Sequence, residues 1–182
     1  TGAPEALQGA IAAGLLGGGS VFLGPVSDTA AFLSGIVEGL GDAPDDAALE
    51  SAAKEAVDAE LAATRRIPGL GHPIHRDGDP RTPRLYELAA ERGLVGPHLR
   101  LLRAVAAAHE TATGKKLPIN GAGAAGAALA DLGFPAHVGR GFALLARTAG
   151  LIGHLAEEAE HPIGMALWRD VEGRVRDVDD DG

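Results

Sequence analysis

The sequence predicts an all-α fold, and three observations support this prediction. Gly and Pro residues lie at the positions where helices would begin and end. Stretches that alternate apolar and polar residues, as strands do, are scarce. Apolar residues recur at helical spacing, as in Phe32, Leu33, Ile36, Val37 and Leu40.

Each predicted helix has its own start and stop signals. Asp28 is expected to cap the second helix and Gly41 to end it. The third begins with acidic Asp45 and ends near basic Arg65, the charge order that a helix dipole favours. After the last helix, residues 166–177 are predicted to form a short hairpin around Gly173. The predicted helices cover residues 6–16, 28–40, 45–65, 85–92, 97–113, 121–132 and 141–160.

Composition excludes several classes of protein. The 182 residues carry a formal net charge of −9, so binding to nucleic acid through a net basic surface is excluded, and only a local basic patch could serve. The absence of cysteine excludes disulfides, thiolate metal sites and cysteine nucleophiles. No segment reaches the about 20 apolar residues that a membrane helix needs, and no secretory signal is visible. We therefore expect a cytoplasmic protein with neither nucleic-acid nor membrane partners.

The core is expected to depend on small residues. Aromatic residues make up 3% of the chain, whereas Gly occurs 27 times and Ala is abundant. Such a composition needs many close backbone contacts, which makes an oligomer a better expectation than a self-contained monomer. Trp168 is expected to anchor the tail, in a core or at an interface.

Other motifs have simple structural interpretations. Residues 121–126 match the dinucleotide fingerprint G-x-G-x-x-G but lack its strand–turn–helix context, so a tightly packed small-residue helix is predicted. The seven histidines show no metal-ligand spacing, and no metal site is predicted. His109, His154 and His161 are expected at exposed helical positions, and neither Ser20 nor Ser27 has a partner histidine in sight.

Residues 67–84 form a long Pro- and Gly-rich loop between predicted helices. Loops of this kind in a compact domain are usually functional. Imidazole exchanges protons near neutral pH, and guanidinium groups hold carboxylates or phosphates bidentately. The alternative is a solvated loop whose histidines only cap their neighbours. The loop concentrates His72, His75, Arg76, Arg81 and Arg84.

The spacing within this loop resembles the signature of the citrate synthase family. The matching residues are Gly71-His72-Pro73-Ile74, then Arg76, then Asp79-Pro80-Arg81. Residues 115–120, Lys-Lys-Leu-Pro-Ile-Asn, resemble the family's approach to its catalytic aspartate, and residues 143–150 resemble the helix that offers a substrate-binding arginine. Matching pieces run in order from residue 11 to residue 160, and the short citryl-CoA lyase-like branch fits best.

The resemblance implies a fold and a substrate class. It implies a dimeric, two-lobed helical fold whose usual extent begins upstream of residue 1. A small CoA-binding lobe would span about 25–125, and residues 1–24 and 126–182 would belong to a large dimerisation lobe. A coenzyme A thioester and a hydroxy- or keto-polycarboxylate would be substrates, with no permanently bound cofactor, and a carbon–carbon bond would be made or broken.

The resemblance also implies residue roles. His72 would donate to the keto or hydroxyl oxygen of the acid, and Arg81 and Arg147 would grip its carboxylates. The backbone of Gly69, Leu70 and Gly71 would lie against the adenine of CoA. The CoA phosphates would meet Arg76, Lys115 and Lys116.

Two positions depart from the family pattern. The catalytic aspartate, two residues after the Pro-x-Asn asparagine, is replaced by Ala122, and the first catalytic histidine falls at Phe22. The next acid after Ala122 is Asp131, more than two helical turns further on. A non-catalytic CoA-binding homologue or regulatory subunit is therefore the alternative to an enzyme. A purely structural helical oligomer would explain none of the loop.

Overall fold

A computed structural model describes residues 6–174, and helices make up most of them. The nine α-helices in this range are α1 (Leu7–Leu16), α2 (Gly19–Leu23), α3 (Pro25–Val37), α4 (Asp46–Ala62), α5 (Arg81–Glu91), α6 (Pro97–Thr113), α7 (Gly121–Asp131), α8 (Gly139–Glu160) and α9 (Gly164–Arg174). Short 3-10 turns cover Glu38–Leu40 and Ala136–Val138. Within the described range there is no strand, only a single antiparallel bridge between Leu70 and Ile119. The all-α prediction is confirmed.

Three predicted features of the helices are wrong. Helix α5 begins at Arg81 rather than at residue 85. Asp28 does not cap α3 but lies in its first turn, because Pro25 begins the helix three residues earlier with its fixed φ. The predicted hairpin is helical up to Arg174, and residues 175–177 lie outside the described residues. Helix α9 forms there because Glu158 accepts hydrogen bonds from the free N–H groups of Ile163 and Gly164, each at 2.9 Å. The predicted cap of α4 is confirmed, since Asp45 accepts from Ala48 N at 2.8 Å.

The chain divides into two compact units. Gly19–Ala143 forms one, which we call the core unit. Thr1–Gly18 and Leu144–Gly182 form the other, the terminal unit, of which residues 6–18 and 144–174 are described. The predicted lobe boundaries at residues 25 and 125 remain predictions.

The core unit packs α3, α4, α6 and α7 around a continuous apolar centre. Glycines let α7 approach its neighbours closely: a Cβ on Gly126 would lie 2.5 Å from the carbonyl oxygen of Val26 on α3. Such contact is possible only without a side chain, because protein interiors are already close-packed. This confirms the predicted small-residue helix over the G-x-G-x-x-G motif. The largest fully buried apolar side chains are Leu33, Leu49, Val57, Leu99, Leu101, Leu102 and Val105.

Asp131 at the end of α7 caps the start of α6. Its carboxylate accepts from the backbone N–H groups of Gly96, His98 and Leu99 at 2.8–3.0 Å, and from Nδ1 of His98 at 2.8 Å. Nε2 of His98 lies 3.3 Å from Oγ of Ser34 on α3. This chain of contacts ties three helices together at one point.

His109 is buried rather than exposed, which corrects the expectation from sequence. It lies one turn after the buried Val105 on the same face of α6, and its Nδ1 donates to the carbonyl oxygen of Lys115 at 3.2 Å. The ring thereby satisfies a backbone group beyond the end of the helix. His154 and His161 are exposed, as predicted.

The terminal unit contains α1, most of α8 and α9, and none of its described residues is buried. Helix α1 packs on α8 at Gly14, where a Cβ would lie 2.9 Å from the side chain of Leu151. A cavity of about 960 Å³ opens between the three helices, lined mainly by apolar side chains such as Leu7, Ile152 and Trp168. Across residues 6–174, no helix has the length and apolarity that a bilayer crossing requires.

Candidate active site

The backbone joins the two motif-bearing segments of the sequence. Gly71 N donates to the carbonyl oxygen of Pro118 at 2.8 Å, and Asn120 N donates to that of Gly69 at 3.0 Å. These bonds form the bridge between Leu70 and Ile119. The loop, which covers residues 67–80 before α5 begins, is therefore held directly against the segment that leads into α7.

Two glycines give the loop its course. Gly69 and Gly71 have φ values of +86° and +77°, in the left-handed region that residues with side chains rarely adopt. At Gly69 the loop also contacts α7: a Cβ on Gly123 would lie 2.5 Å from the Cα of Gly69. The loop therefore reaches α7 only because Gly69 and Gly123 both lack a side chain.

Asn120 ties the loop to the helix end. Its Oδ1 accepts from Gly123 N at 2.8 Å, which caps α7, and its Nδ2 donates to the carbonyl oxygen of Gly71 at 2.8 Å. His72, the next residue in the loop, is thereby held near the start of α7.

The ring of His72 has a defined tautomer. Its Nδ1 accepts from the backbone N–H groups of Ile74 at 3.1 Å and His75 at 3.0 Å, so in the neutral ring the proton is on Nε2. The ring packs against that of His75 with 4.5 Å between centroids. His72 is half-buried, and its fixed orientation makes Nε2–H a preorganised hydrogen-bond donor.

Asp79, near the end of the loop, forms a bidentate ion pair with Arg81, the first residue of α5. Nε and Nη2 of Arg81 donate to the two carboxylate oxygens of Asp79 at 2.9 and 2.6 Å. Gly121 N, the first residue of α7, donates to the same carboxylate at 2.6 Å. The guanidinium of Arg81 holds the pKa of the Asp79 carboxyl well below its ordinary value, and the backbone N–H groups of Arg81 and Gly121 lower it further.

Both halves of the loop therefore meet the start of α7 at adjacent residues. The carbonyl oxygen of Gly71, which precedes His72, accepts a hydrogen bond from Asn120. The carboxylate of Asp79, the ion-pair partner of Arg81, accepts one from Gly121 N. An N-terminal helix end carries partial positive charge, which stabilises the Asp79 carboxylate that Gly121 N contacts.

Comparison with known proteins agrees with the motifs. The family model described as citrate synthase, C-terminal domain, matches residues 35–169, well over half of the chain. The chain belongs to the citrate synthase family. Among solved structures it is similar to citryl-CoA lyase from Hydrogenobacter thermophilus, with a TM-score of 0.76 and 29% sequence identity. That match covers 97% of this chain and 63% of the other, so this chain spans less than two thirds of that lyase's length. Comparison with curated proteins finds no match.

The predicted membership of the citrate synthase family, on its citryl-CoA lyase-like side, is confirmed, as is the helical fold class. The structure places most of the predicted site residues in the core unit. His72, Arg81, Gly69, Leu70 and Gly71 gather at the start of α7, as described above. The exposed side chains of Arg76, Lys115 and Lys116 make no hydrogen bond or ion pair with any residue in the range 6–174. Arg147 is exposed on the part of α8 that belongs to the terminal unit.

The two departures from the citrate synthase pattern have defined positions. Ala122 is the second residue of α7, half-buried and next to Gly121. Phe22 lies on α2, and 79% of it is exposed. Neither can transfer a proton.

Neither Asp79 nor Asp131 replaces the missing carboxylate at residue 122. A carboxylate has about four lone-pair sites. Asp79 accepts from Arg81 N, Nε and Nη2 and from Gly121 N, while Asp131 accepts four hydrogen bonds at the start of α6. Among residues 6–174, no three His, Asp or Glu side chains gather closely enough to hold a metal ion either.

Sequence reasoning included Asp79 in a motif but gave it no role. The available signal was an acid followed by Pro, which is a common helix start, and α5 does begin at the next residue, Arg81. Its distant partner, Gly121 N, could not be found without the tertiary structure.

Proposed function

We propose that the protein binds a coenzyme A thioester and a hydroxy- or keto-polycarboxylate, and that it makes or breaks a carbon–carbon bond between them, as citryl-CoA lyase or citrate synthase does. The observation that carries the proposal is the convergence of His72 and Arg81 on the start of α7. His72 supplies an oriented N–H donor and Arg81 a cation, and these groups suit a keto or hydroxyl oxygen and the carboxylate next to it.

In the lyase direction, the hydroxyl proton of the acid passes to a base in the solvent, the carbon–carbon bond breaks to leave a keto acid, and the acetyl thioester leaves as its enolate. The enolate takes a proton from the solvent to give acetyl-CoA, because residue 122 offers no acid. His72 Nε2–H donates to the oxygen at which the keto group forms. Arg81 binds a carboxylate of the acid. Charge-assisted hydrogen bonds of this kind contribute on the order of 1.5–3 kcal/mol each.

We assign the phosphates of the CoA thioester to Arg76 in the loop and to Lys115 and Lys116 in the segment that leads into α7. Arg76, Lys115 and Lys116 have exposed, unpaired cationic groups suited to phosphates, as far as the described residues show. The backbone of Gly69, Leu70 and Gly71 provides the surface for adenine.

A non-catalytic CoA-binding homologue is the second candidate function, and Ala122 favours it. In the family, the carboxylate at this position handles the α-proton of the thioester. A general acid–base group typically contributes 10²–10⁴-fold in rate. With Ala122 in place, binding without turnover is the outcome expected of this second candidate.

The two candidates are distinguished by activity and binding together. Free thiol release is followed with oxaloacetate plus acetyl-CoA, and citryl-CoA cleavage is followed in the reverse direction, while calorimetry measures CoA binding. Arg76→Ala is expected to weaken CoA binding, whereas Arg84→Ala is the control, because Arg84 is paired with Glu87 and Glu91. Turnover supports the enzyme, saturable CoA binding without turnover supports the binder, and no CoA binding refutes both.

Restoring the missing acid sharpens the comparison. Ala122→Asp adds a carboxylate at a helix N-terminus, where negative charge is favourable, and Ala122→Asn is the matched uncharged control. If the site is otherwise intact, turnover rises by at least tenfold in Ala122→Asp and not in Ala122→Asn.

We also propose a homodimer formed through the terminal unit. Its described residues include no buried side chain, and large apolar groups are exposed on all three of its helices. Groups of exposed large apolar side chains often mark an interface. The most exposed are Leu16, Leu145, Met165 and Val171, at 86%, 68%, 62% and 60%.

A further inference from the structure

The guanidinium of Arg81 offers a ligand only one complete edge. A guanidinium has two edges that can bind a carboxylate bidentately, the side-on pair Nε/Nη2 and the end-on pair Nη1/Nη2. Asp79 occupies the side-on pair, at 2.9 and 2.6 Å. Only the end-on pair remains for a second carboxylate.

The two edges of the Arg81 guanidinium differ in their exposure to solvent. The side chain of Asp79 is 0% exposed, whereas that of Arg81 is 65% exposed. In the described part of the chain, Nη1 of Arg81 has no hydrogen-bond partner. The side-on edge therefore faces the protein interior, and the end-on edge is open to a ligand.

Gly121 contacts both members of the Asp79–Arg81 ion pair. Its N–H donates to Asp79, and a Cβ on Gly121 would lie 2.8 Å from Nε and 2.9 Å from Cζ of Arg81. Atoms this close would force the guanidinium to move. The observed orientation of Arg81 therefore requires glycine at residue 121. The helix itself could begin with any residue.

From these contacts we infer that Asp79 is a positioning residue, which together with Gly121 restricts Arg81 to one end-on, bidentate contact with a single carboxylate of the substrate. The inference rests on the proposed function for the identity of that substrate as a polycarboxylate. The two oxygens of the bound carboxylate lie in the plane of the guanidinium. Lysine at residue 81 could not reproduce this contact, because an ammonium group has no planar fork.

Two variants with matched controls test this role. Asp79→Asn removes the charge and turns one acceptor into a donor facing donors; its control is Asp77→Asn, in the same loop, where Asp77 is exposed and has no described partner. Gly121→Ala displaces only the flexible end of Arg81 and keeps the Asp79 charge; its control is Gly35→Ala, where a Cβ would meet nothing within 4 Å. Calorimetry measures the Kd for oxaloacetate and for CoA, and thermal melting measures stability.

Both test variants are expected to weaken oxaloacetate binding by about tenfold or more, since each disrupts a charge-assisted contact. CoA binding should stay within about twofold of the wild type, and Gly121→Ala should melt within a few degrees of it. A loss confined to oxaloacetate is not what general destabilisation produces. Wild-type oxaloacetate affinity in a folded Gly121→Ala protein would overturn the inference.

A second readout separates this inference from the proposed function. In the free wild-type protein, the NMR signal of Arg81 Nε–H should be resolved and protected from solvent exchange, and Asp79→Asn should abolish that protection. If wild-type protein binds no oxaloacetate, the proposed substrate is wrong, and the Nε–H signal alone decides whether Asp79 positions Arg81. Equal exchange in the wild type and Asp79→Asn would refute that positioning.

Discussion

The side-chain amide of Asn120 bonds in two directions, to the carbonyl oxygen of Gly71 through Nδ2 and to the N–H of Gly123 through Oδ1, both at 2.8 Å. One residue thus caps α7 and fixes the loop that carries His72. The site and the helix end are therefore expected to lose stability together.

Separate substitutions should distinguish the two bonds of Asn120. Asn120→Asp keeps an acceptor for Gly123 N but loses the donor to Gly71, so we expect a loss of about 1–3 kcal/mol in the free energy of unfolding. Asn120→Ala loses the cap as well and should cost roughly 0.5–2 kcal/mol more. Urea unfolding measures both, with Asp45→Ala as a control for a cap without a loop contact. Wild-type stability in Asn120→Asp would show that the Gly71 bond contributes nothing.

Gly123→Ala should be among the most destabilising single-methyl changes in this chain. The new Cβ would lie 2.5 Å from Cα and 2.6 Å from the carbonyl oxygen of Gly69, and backbone atoms cannot move aside as side chains can. Overpacking of this kind costs about 1–3 kcal/mol or more. Gly35→Ala, which meets nothing within 4 Å in α3, should instead be neutral or stabilising by up to about 1 kcal/mol. Equal unfolding midpoints for the two variants would contradict the close contact between the loop and α7.

Tyr86 should ionise at unusually high pH. Burial raises its pKa to about 12, and its hydroxyl donates to the carbonyl oxygen of Leu99 at 3.0 Å. Because the folded-state pKa is raised, the stabilisation is complete below about pH 10 and is lost as the pH rises toward 12. Tyr86 is the single tyrosine, so tyrosinate absorbance reports it alone. A midpoint near pH 10 in the folded protein would show that the ring is solvated.

Asp79 should stabilise the protein at neutral pH but not in acid. Its folded-state pKa is depressed by Arg81, so the stabilisation is complete above the unfolded-state value of about 3.9 and declines as the pH falls below it. The difference in unfolding free energy between the wild type and Asp79→Asn should therefore shrink between about pH 5 and pH 2. Chemical unfolding at several pH values measures it, and Asp77→Asn should show no such trend. A difference independent of pH would rule out an ionic role for Asp79.

Trp168 should report the proposed dimer. It is the single tryptophan, lies in the terminal unit and is 55% exposed in one chain. If a second copy covers it, its emission will shift to shorter wavelength as the protein concentration rises, in step with the mass from sedimentation. Met165→Asp should keep the protein monomeric and its emission red-shifted, while Glu172→Asp on the same helix should not. A monomer at all concentrations would refute the interface.

The sequence predicted local structure well where short-range signals dominate. Periodic apolar residues predicted the positions of most helices, and Asp45 marked the start of α4 correctly. The hairpin at residues 166–177 was wrong, because the Glu158 carboxylate that starts α9 acts across a turn that the alternating pattern does not reveal. His109 was predicted to be exposed for a similar reason: its hydrogen-bond partner is the backbone carbonyl of Lys115, which the side-chain pattern does not reveal.

The order and spacing of Gly71, His72, Arg76, Asp79 and Arg81 were enough to identify the family, and residue 122 is visibly not an acid. How these residues act together is seen only in the folded chain. Folding joins Asp79 to Gly121 and Asn120 to Gly71, residues about 40–50 positions apart in the chain. Spacing along the chain carries information about local geometry alone. Which edge of a guanidinium is buried and which nitrogen of an imidazole carries the proton depend on partners that only folding brings within hydrogen-bond distance.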